Sequence, residues 1–197
     1  MHNVLALKLL RMLDVKTSLI TTLALGLIAH SAWLPTKAWL SSQLISYSWH
    51  QSKHSTQQIM PWPWADTHPV AKMTIARLNK QLIILQGVDP TTLAFSAGAM
   101  HQYSHLTHSK PFVIAGHKDS HFSFLQELHM KDIISLTNKE GKNQLYQVEH
   151  MEIIDSEEQT LQIIEQDPSL ILITCYPFNP LVSGGSLRYV ITAKLIS

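Results

Sequence analysis

Residues 169–188 read SLILITCYPFNPLVSGGSLR, and the rest of the chain is organised around them. The apolar run Leu170-Ile171-Leu172-Ile173 has the length and branched composition of a buried β-strand. It ends on Thr174-Cys175, after which Pro177, Pro180, Gly184 and Gly185 break the chain into a loop. A second strand pattern follows, with Leu187, Tyr189, Ile191, Ala193 and Leu195 on one face and Arg188 on the other. Such a pair can set Cys175 and Arg188 side by side at the rim of one sheet. Cys175 is the single cysteine of the chain, and a free cysteine is commonly just a small buried hydrophobe. Its company argues for more. Residues 111–116, PFVIAG, form another short strand pattern that delivers His117 at its end. A thiol, an imidazole and a guanidinium thus each stand where a strand meets a loop.

The chain has 197 residues, room for one domain and a further segment. A formal net charge of +1 gives no basic footprint for nucleic acid. One cysteine excludes an internal disulfide, and no CxxC or Cys/His finger spacing occurs. The 12 histidines are scattered, and neither repeats nor low-complexity tracts are visible.

Residues 1–16 carry Lys8, Arg11 and Lys16 against Asp14 and read as a cytoplasmic N-terminus. Residues 17–34, TSLITTLALGLIAHSAWL, have no formal charge and would reach roughly 27 Å as a helix. That suits a thin membrane span, and the basic flank predicts a cytoplasmic N-terminus with the remainder exported. A cleavable signal peptide competes, with Ala29-His30-Ser31-Ala32 as its small-residue site; the longer basic region favours the uncleaved anchor. Residues 35–60 read as a juxtamembrane helix and linker, Pro35 starting a new helix that does not span. Trp33, Trp39 and Trp49 suit either lipid headgroups or packing on the domain below.

Residues 61–197 form the globular part. Pro61-Trp62-Pro63-Trp64 predicts an extended entry, which could pack on the domain or offer a carbohydrate platform. Residues 70–77 and 81–85 read as a hairpin about Asn79-Lys80, and 91–95 as a short helix with Asp89 as cap and Pro90 in its first turn. Residues 96–110 read as a loop. Asp119 or Ser120 is expected to cap a short helix that places Phe122, Leu125 and Leu128 on one face. Residues 132–137 and 143–150 read as strands about a turn with Gly141, and 161–166 as a helical turn. Many short strands with few helices predict a mainly β domain, a barrel or a sandwich.

Three motifs, in order, resemble those of the sortases, membrane-anchored cysteine transpeptidases. Ile171-Leu172-Ile173-Thr174-Cys175 resembles their Thr-Leu-x-Thr-Cys signature. Ala115-Gly116-His117 followed by Asp119-Ser120-His121-Phe122 looks like their histidine motif, and Leu187-Arg188-Tyr189-Val190 like the strand bearing their arginine. Trp62-Pro63-Trp64-Ala65-Asp66 and Cys175-Tyr176-Pro177-Phe178 are similar to the sortases of Gram-negative proteobacteria. Ile171 departs from the signature's first Thr, and Lys118 and Ser120 replace the commoner Arg and Thr. None of these changes touches the three reactive groups.

The resemblance implies an eight-stranded β-barrel of sortase type, all-β with minor helices, behind an N-terminal transmembrane helix. It implies attack by Cys175 on a C-terminal sorting motif resembling Leu-Pro-x-Thr-Gly, a thioacyl-enzyme, and transfer of the protein to an amine acceptor. It places the chain in the inner membrane, facing the periplasm. The residues agree with that chemistry. A thiolate is the nucleophile, His117 suits a general acid/base, and Arg188, always charged, suits binding and charge stabilisation. Thr174 and Tyr176 are candidate substrate-binding residues. No cofactor is expected. No acidic cluster suggests calcium, so activity is expected to survive a chelator.

Rival readings remain open at this level. His101, His105 and His108, or His117 and His121, have spacings that could share a metal, although no closed ligand set exists. A hydrolase resolving the same thioester with water, or a membrane-tethered binding module, would use the same sequence.

Overall fold

The computed structural model describes residues 2–53, 55–179 and 184–196, with only the backbone for residues 2–14. The chain divides into two compact units, one up to Ser41 and one formed by Ser42–Ser197. Helix α1, His2–Ser52, runs without interruption through Pro35, so the expected helix start at Pro35 is corrected. A proline inside a helix removes one N–H but need not end it, and the turn around it is supported by Thr36 Oγ1, which donates to the Ala32 carbonyl at 2.7 Å. Within its stretch Val15–Ser52 the most apolar 18-residue window has a mean hydropathy of 1.4, long and apolar enough to cross a membrane. Trp33 and Trp39 are exposed, whereas Trp49 is buried within the second unit.

Eight strands close that unit into a barrel. They are β1 (Pro69–Ile75), β2 (Lys80–Gln86), β3 (Gly98–Ala99), β4 (Phe112–Ala115), β5 (Ile133–Asn138), β6 (Asn143–Asp155), β7 (Ser169–Cys175) and β8 (Leu187–Leu195). Around the barrel the order is β1-β2-β3-β4-β7-β8-β6-β5. β2/β3 and β4/β7 are parallel pairs and the other pairs are antiparallel. Inward side chains such as Met73, Ile84, Ile114, Leu136, Tyr146, Leu172 and Ile191 fill the interior. β8 alternates as its pattern predicts, with Tyr189, Ile191, Ala193 and Leu195 all on this core. A second, outer cluster joins Val113, Ile154, Ile171 and Val190.

Several local expectations change. Asp89 caps α2 (Pro90–Phe95) as expected, accepting from Thr92 N at 3.0 Å. Neither Asp119 nor Ser120 caps a helix; a 3-10 turn, Ser123–Glu127, follows Phe122 without a side-chain cap. Phe122, Leu125 and Leu128 are nonetheless all buried. Residues 161–164 are not helical, because Leu161 and Ile163, two apart, both pack on the outer cluster. The loop expected at 96–110 contains β3 and a 3-10 turn, His101–Tyr103; a Gly-Ala pair carries no pattern to betray a strand. β6 runs past His150 to Asp155, hidden because a bulge at Val148/His150 shifts the alternation. Residues 61–64 turn rather than extend, with Ala65 N–H on the Trp62 carbonyl at 3.0 Å. The Pro/Gly loop after Cys175 includes residues 180–183, outside the described residues.

One ion pair pins the β1–β2 turn to the start of β5. Arg77 Nε and Nη2 each donate to Asp132 at 2.6 Å, and Asp132 Oδ2 also accepts His129 N–H at 2.7 Å. The Arg77 hydrogen bonds hold the Asp132 carboxyl below the usual carboxylate range, against burial. A depressed folded pKa gives stability that is complete above the unfolded value of about 3.9 and is lost as pH falls through the folded one. Asp132→Asn is therefore expected to cost about 1–2 kcal/mol near neutrality, discounted for the exposed guanidinium. Thermal unfolding at stepped pH checks this: the gap between variant and parent should narrow progressively as pH falls below the unfolded value of about 3.9.

Candidate active site

Strand register brings two of the reactive candidates together. In the antiparallel β7/β8 pair Cys175 lies directly opposite Arg188, and side chains opposed in this way share a face. On the other side of β7, β4 runs parallel with Ala115 opposite Ile173. Past Ala115, Gly116 N–H donates to the Ile173 carbonyl at 3.1 Å. Thr174 Oγ1 donates to the Gly116 carbonyl at 2.7 Å. His117 therefore leaves β4 level with the end of β7.

Alternation fixes the faces. Leu170 and Leu172 lie in the inner core, while Ile171 belongs to the outer cluster with Val113 and Val190. Cys175 follows the parity of Ile171 and Arg188 that of Val190, so these two share the outer face at one rim. His117 comes two residues after the last residue of β4, at the same end of the barrel. Cys175 and Arg188 are half-buried and His117 is exposed.

The turn that carries His117 depends on Gly116. A Cβ there would sit 2.8 Å from the Phe122 ring, so only glycine lets the buried Phe122 close against the strand. The His117 carbonyl then accepts from Ser120 N and Phe122 N at 3.3 and 3.0 Å. Lys118 is only 7% exposed. Its Nζ reaches across to the loop after Cys175, donating to the carbonyls of Pro177 at 2.7 Å and Asn179 at 3.0 Å. Sequence reasoning missed Lys118 as anything beyond a departure from the motif, because only folding shows that its ammonium points inward.

Around the rim, Arg188 Nη1 is held by the carbonyls of Gly185 at 2.8 Å and Leu187 at 2.9 Å. Nearby Asp155 has its carboxyl kept below the ordinary range, first by a hydrogen bond involving Ser186, then by Glu157 N–H, with Arg188 adding last. Thr174 is 3% exposed and spends its hydroxyl hydrogen on Gly116. Tyr176 is half-buried; its N–H donates to the Leu187 carbonyl at 3.0 Å, and its ring lies 6.2 Å from Phe178 and 6.4 Å from Tyr189. Burial, then the nearby Tyr176, pushes the Tyr189 phenol up. The Phe178–Tyr189 contact at 5.4 Å completes an aromatic trio.

Burial lowers the pKa of His121, opposed by a hydrogen bond with the Ala94 backbone and reinforced slightly by His117. Among the described residues, no group of three or more His, Cys, Asp or Glu side chains is placed to hold a metal ion. Two clefts, of about 390 and 520 Å3, are lined respectively by Trp49, Lys72 and His121 among others, and by His68, His101 and His105 among others. Neither contains His117, Cys175 or Arg188. Trp62 packs edge-on against Phe95 at 4.8 Å, while Trp64 is 80% exposed, so the tryptophan pair does not form one platform.

A family model of the sortase domain matches residues 73–196. Sortase D of Bacillus subtilis (strain 168) is 27% identical over 126 residues, which cover 64% of this chain and 63% of that protein. The match thus takes in less than two thirds of that relative's length. Sortase A from Corynebacterium diphtheriae has a TM-score of 0.58 at 23% identity, over 68% of this chain and 63% of that one. A sortase D5 transpeptidase from Clostridium perfringens also scores 0.58, at 19% identity, over 79% and 93% of the respective chains. At such identities the structural likeness speaks for the fold alone.

Proposed function

The chain belongs to the sortase family, and on that premise we propose that it is a membrane-anchored cysteine transpeptidase. Its substrate is a protein with a C-terminal sorting signal similar to Leu-Pro-x-Thr-Gly. Cys175 attacks the scissile carbonyl, the peptide C–N bond breaks, and the acyl group stays on Sγ as a thioester. His117 gives a proton to the departing amine and takes one from the incoming amine. Arg188 binds the substrate and offsets the negative charge of the tetrahedral stage. The α1 segment up to Ser41 anchors the enzyme in the inner membrane with the barrel on the periplasmic side.

One observation carries this reading: Cys175 and Arg188 are cross-strand partners, and the chain bearing His117 is bonded to the two residues before Cys175. The outer cluster beside them, with Ile173 and Leu161 at its edge, gives an apolar floor for a hydrophobic residue of an extended peptide. The Arg188 role predicts that Arg188→Ala raises the barrier by about 3–4 kcal/mol. Arg188→Lys should recover only part, since lysine lacks the planar fork. Steady-state kcat on a sorting peptide checks both.

The reading is tested with the full chain in detergent, a panel of C-terminal peptides and a simple amine, the products separated by chromatography. Transpeptidation predicts an amine-dependent ligation product. Release of the acid alone, at a rate unaffected by amine, would favour a hydrolase. No turnover of any peptide by a folded, thiol-reactive protein would leave a binding module.

A further inference from the structure

We propose that Lys118 is a positioning residue that fixes the distance between His117 and Cys175. The inference rests on the transpeptidase reading of that site. His117 is flanked by two neighbours, and each is fastened to a flank of Cys175. On one side the Gly116 carbonyl takes the hydroxyl of Thr174, the residue before Cys175, at 2.7 Å. On the other, Lys118 Nζ takes the carbonyl of Pro177, two residues after Cys175, at 2.7 Å, and that of Asn179 at 3.0 Å.

The two ties bracket both reactive groups. The first is built into the sheet, where Gly116 N–H also donates to Ile173 at 3.1 Å. The second is the only one of the two that spans from the exposed histidine turn to the irregular chain after β7. At 7% exposure the ammonium is largely withdrawn from water, so it must be satisfied by such carbonyls. Charged donors to carbonyls are stronger than neutral ones and are costly to leave unmade. Without Lys118 the turn can swing about Gly116, and His117 loses its register with the thiol. Misplacement by about 1 Å can cost roughly 100-fold in rate.

The test compares the full chain with Lys118→Met, Lys118→Arg and His117→Ala. Melting temperature, kcat and KM on a sorting peptide, and the pH profile of Cys175 alkylation by iodoacetamide are measured for each. Lys118→Met is expected to stay folded, to lose about 10- to 100-fold in kcat with KM within about twofold, and to shift its alkylation profile toward that of His117→Ala. Arginine, which can reach the same carbonyls, should restore most of the rate. A Lys118→Met variant with unchanged kcat, or one losing only KM or only folded fraction, would overturn the proposal. Should the parent itself turn over no peptide, the transpeptidase reading fails, and alkylation still decides for Lys118. A profile superimposable on the parent's overturns it, and one moved toward His117→Ala sustains it.

Discussion

Cys175→Ala is expected to remove acyl transfer completely, and His117→Ala to slow it by roughly 100- to 10,000-fold. The two effects differ in kind. Without Cys175 the chain has no other thiol to form the thioester, so no residual covalent route exists. Without His117 the thiol can still be acylated in principle, but the departing amine lacks a proton donor. Because the candidates share one rim of the barrel, their contributions will not add. A His117→Ala/Arg188→Ala double variant should be less impaired than the product of the two single effects. Single-turnover rates on a sorting peptide separate these cases. Activity persisting in Cys175→Ala would remove the nucleophile from the account.

The second large effect concerns stability and lies at the N-terminal edge of the barrel unit. Ser42–Ser197 is one compact unit, and within it Trp49 is 2% and Ile45 4% exposed. Ser48 donates to the Ile59 carbonyl, tying the helix to the chain that follows it. Trp49→Ala is expected to cost about 3–5 kcal/mol, the usual loss for a buried tryptophan. A chain starting at Met60 loses Ile45 as well, which adds about 2–5 kcal/mol. That sum is comparable to the whole stability of a typical domain, about 5–15 kcal/mol. A chain starting at Ser42 should therefore unfold cooperatively, and one starting at Met60 should melt some 10–40 °C lower or not fold. Trp49→Phe makes a useful control. The indole Nε1 is buried without a partner among the described residues, so phenylalanine gives up area but no hydrogen bond, and its loss should be much smaller. Equal melting temperatures for the two truncated chains would contradict this account of the helix.

Much of the site was legible because its carriers are short and regular. PFVIAG and SLILITC are near-continuous apolar strands, as parallel neighbours buried on both faces tend to be. They pair in the structure as β4 and β7. The period-2 pattern of β8 placed Arg188 on the face away from Tyr189 and Ile191, and the register then set it opposite Cys175. What stayed hidden depends on tertiary packing. In the sequence Lys118 is only a departure from the histidine motif, whereas its ammonium sits on two carbonyls of a distant loop. β3 is two small residues, too short for any pattern. Its Gly98 lies where a Cβ would collide with the Gly87 carbonyl at 1.8 Å. Leu161 and Ile163 suggested a helical turn because two apolar residues suit more than one period; contact with the outer cluster selected the extended form. Pro35 suggested a break, yet the helix continues through it.

The most direct measurement is the intact mass of the full chain, held in detergent and mixed with a Leu-Pro-x-Thr-Gly peptide before and after addition of an amine. The account predicts a mass increase equal to the N-terminal acyl fragment, mapped to Cys175, absent in Cys175→Ala and discharged onto the amine with a matching ligated product. A thiol that alkylates normally yet never acquires an acyl fragment from any sorting peptide would contradict it.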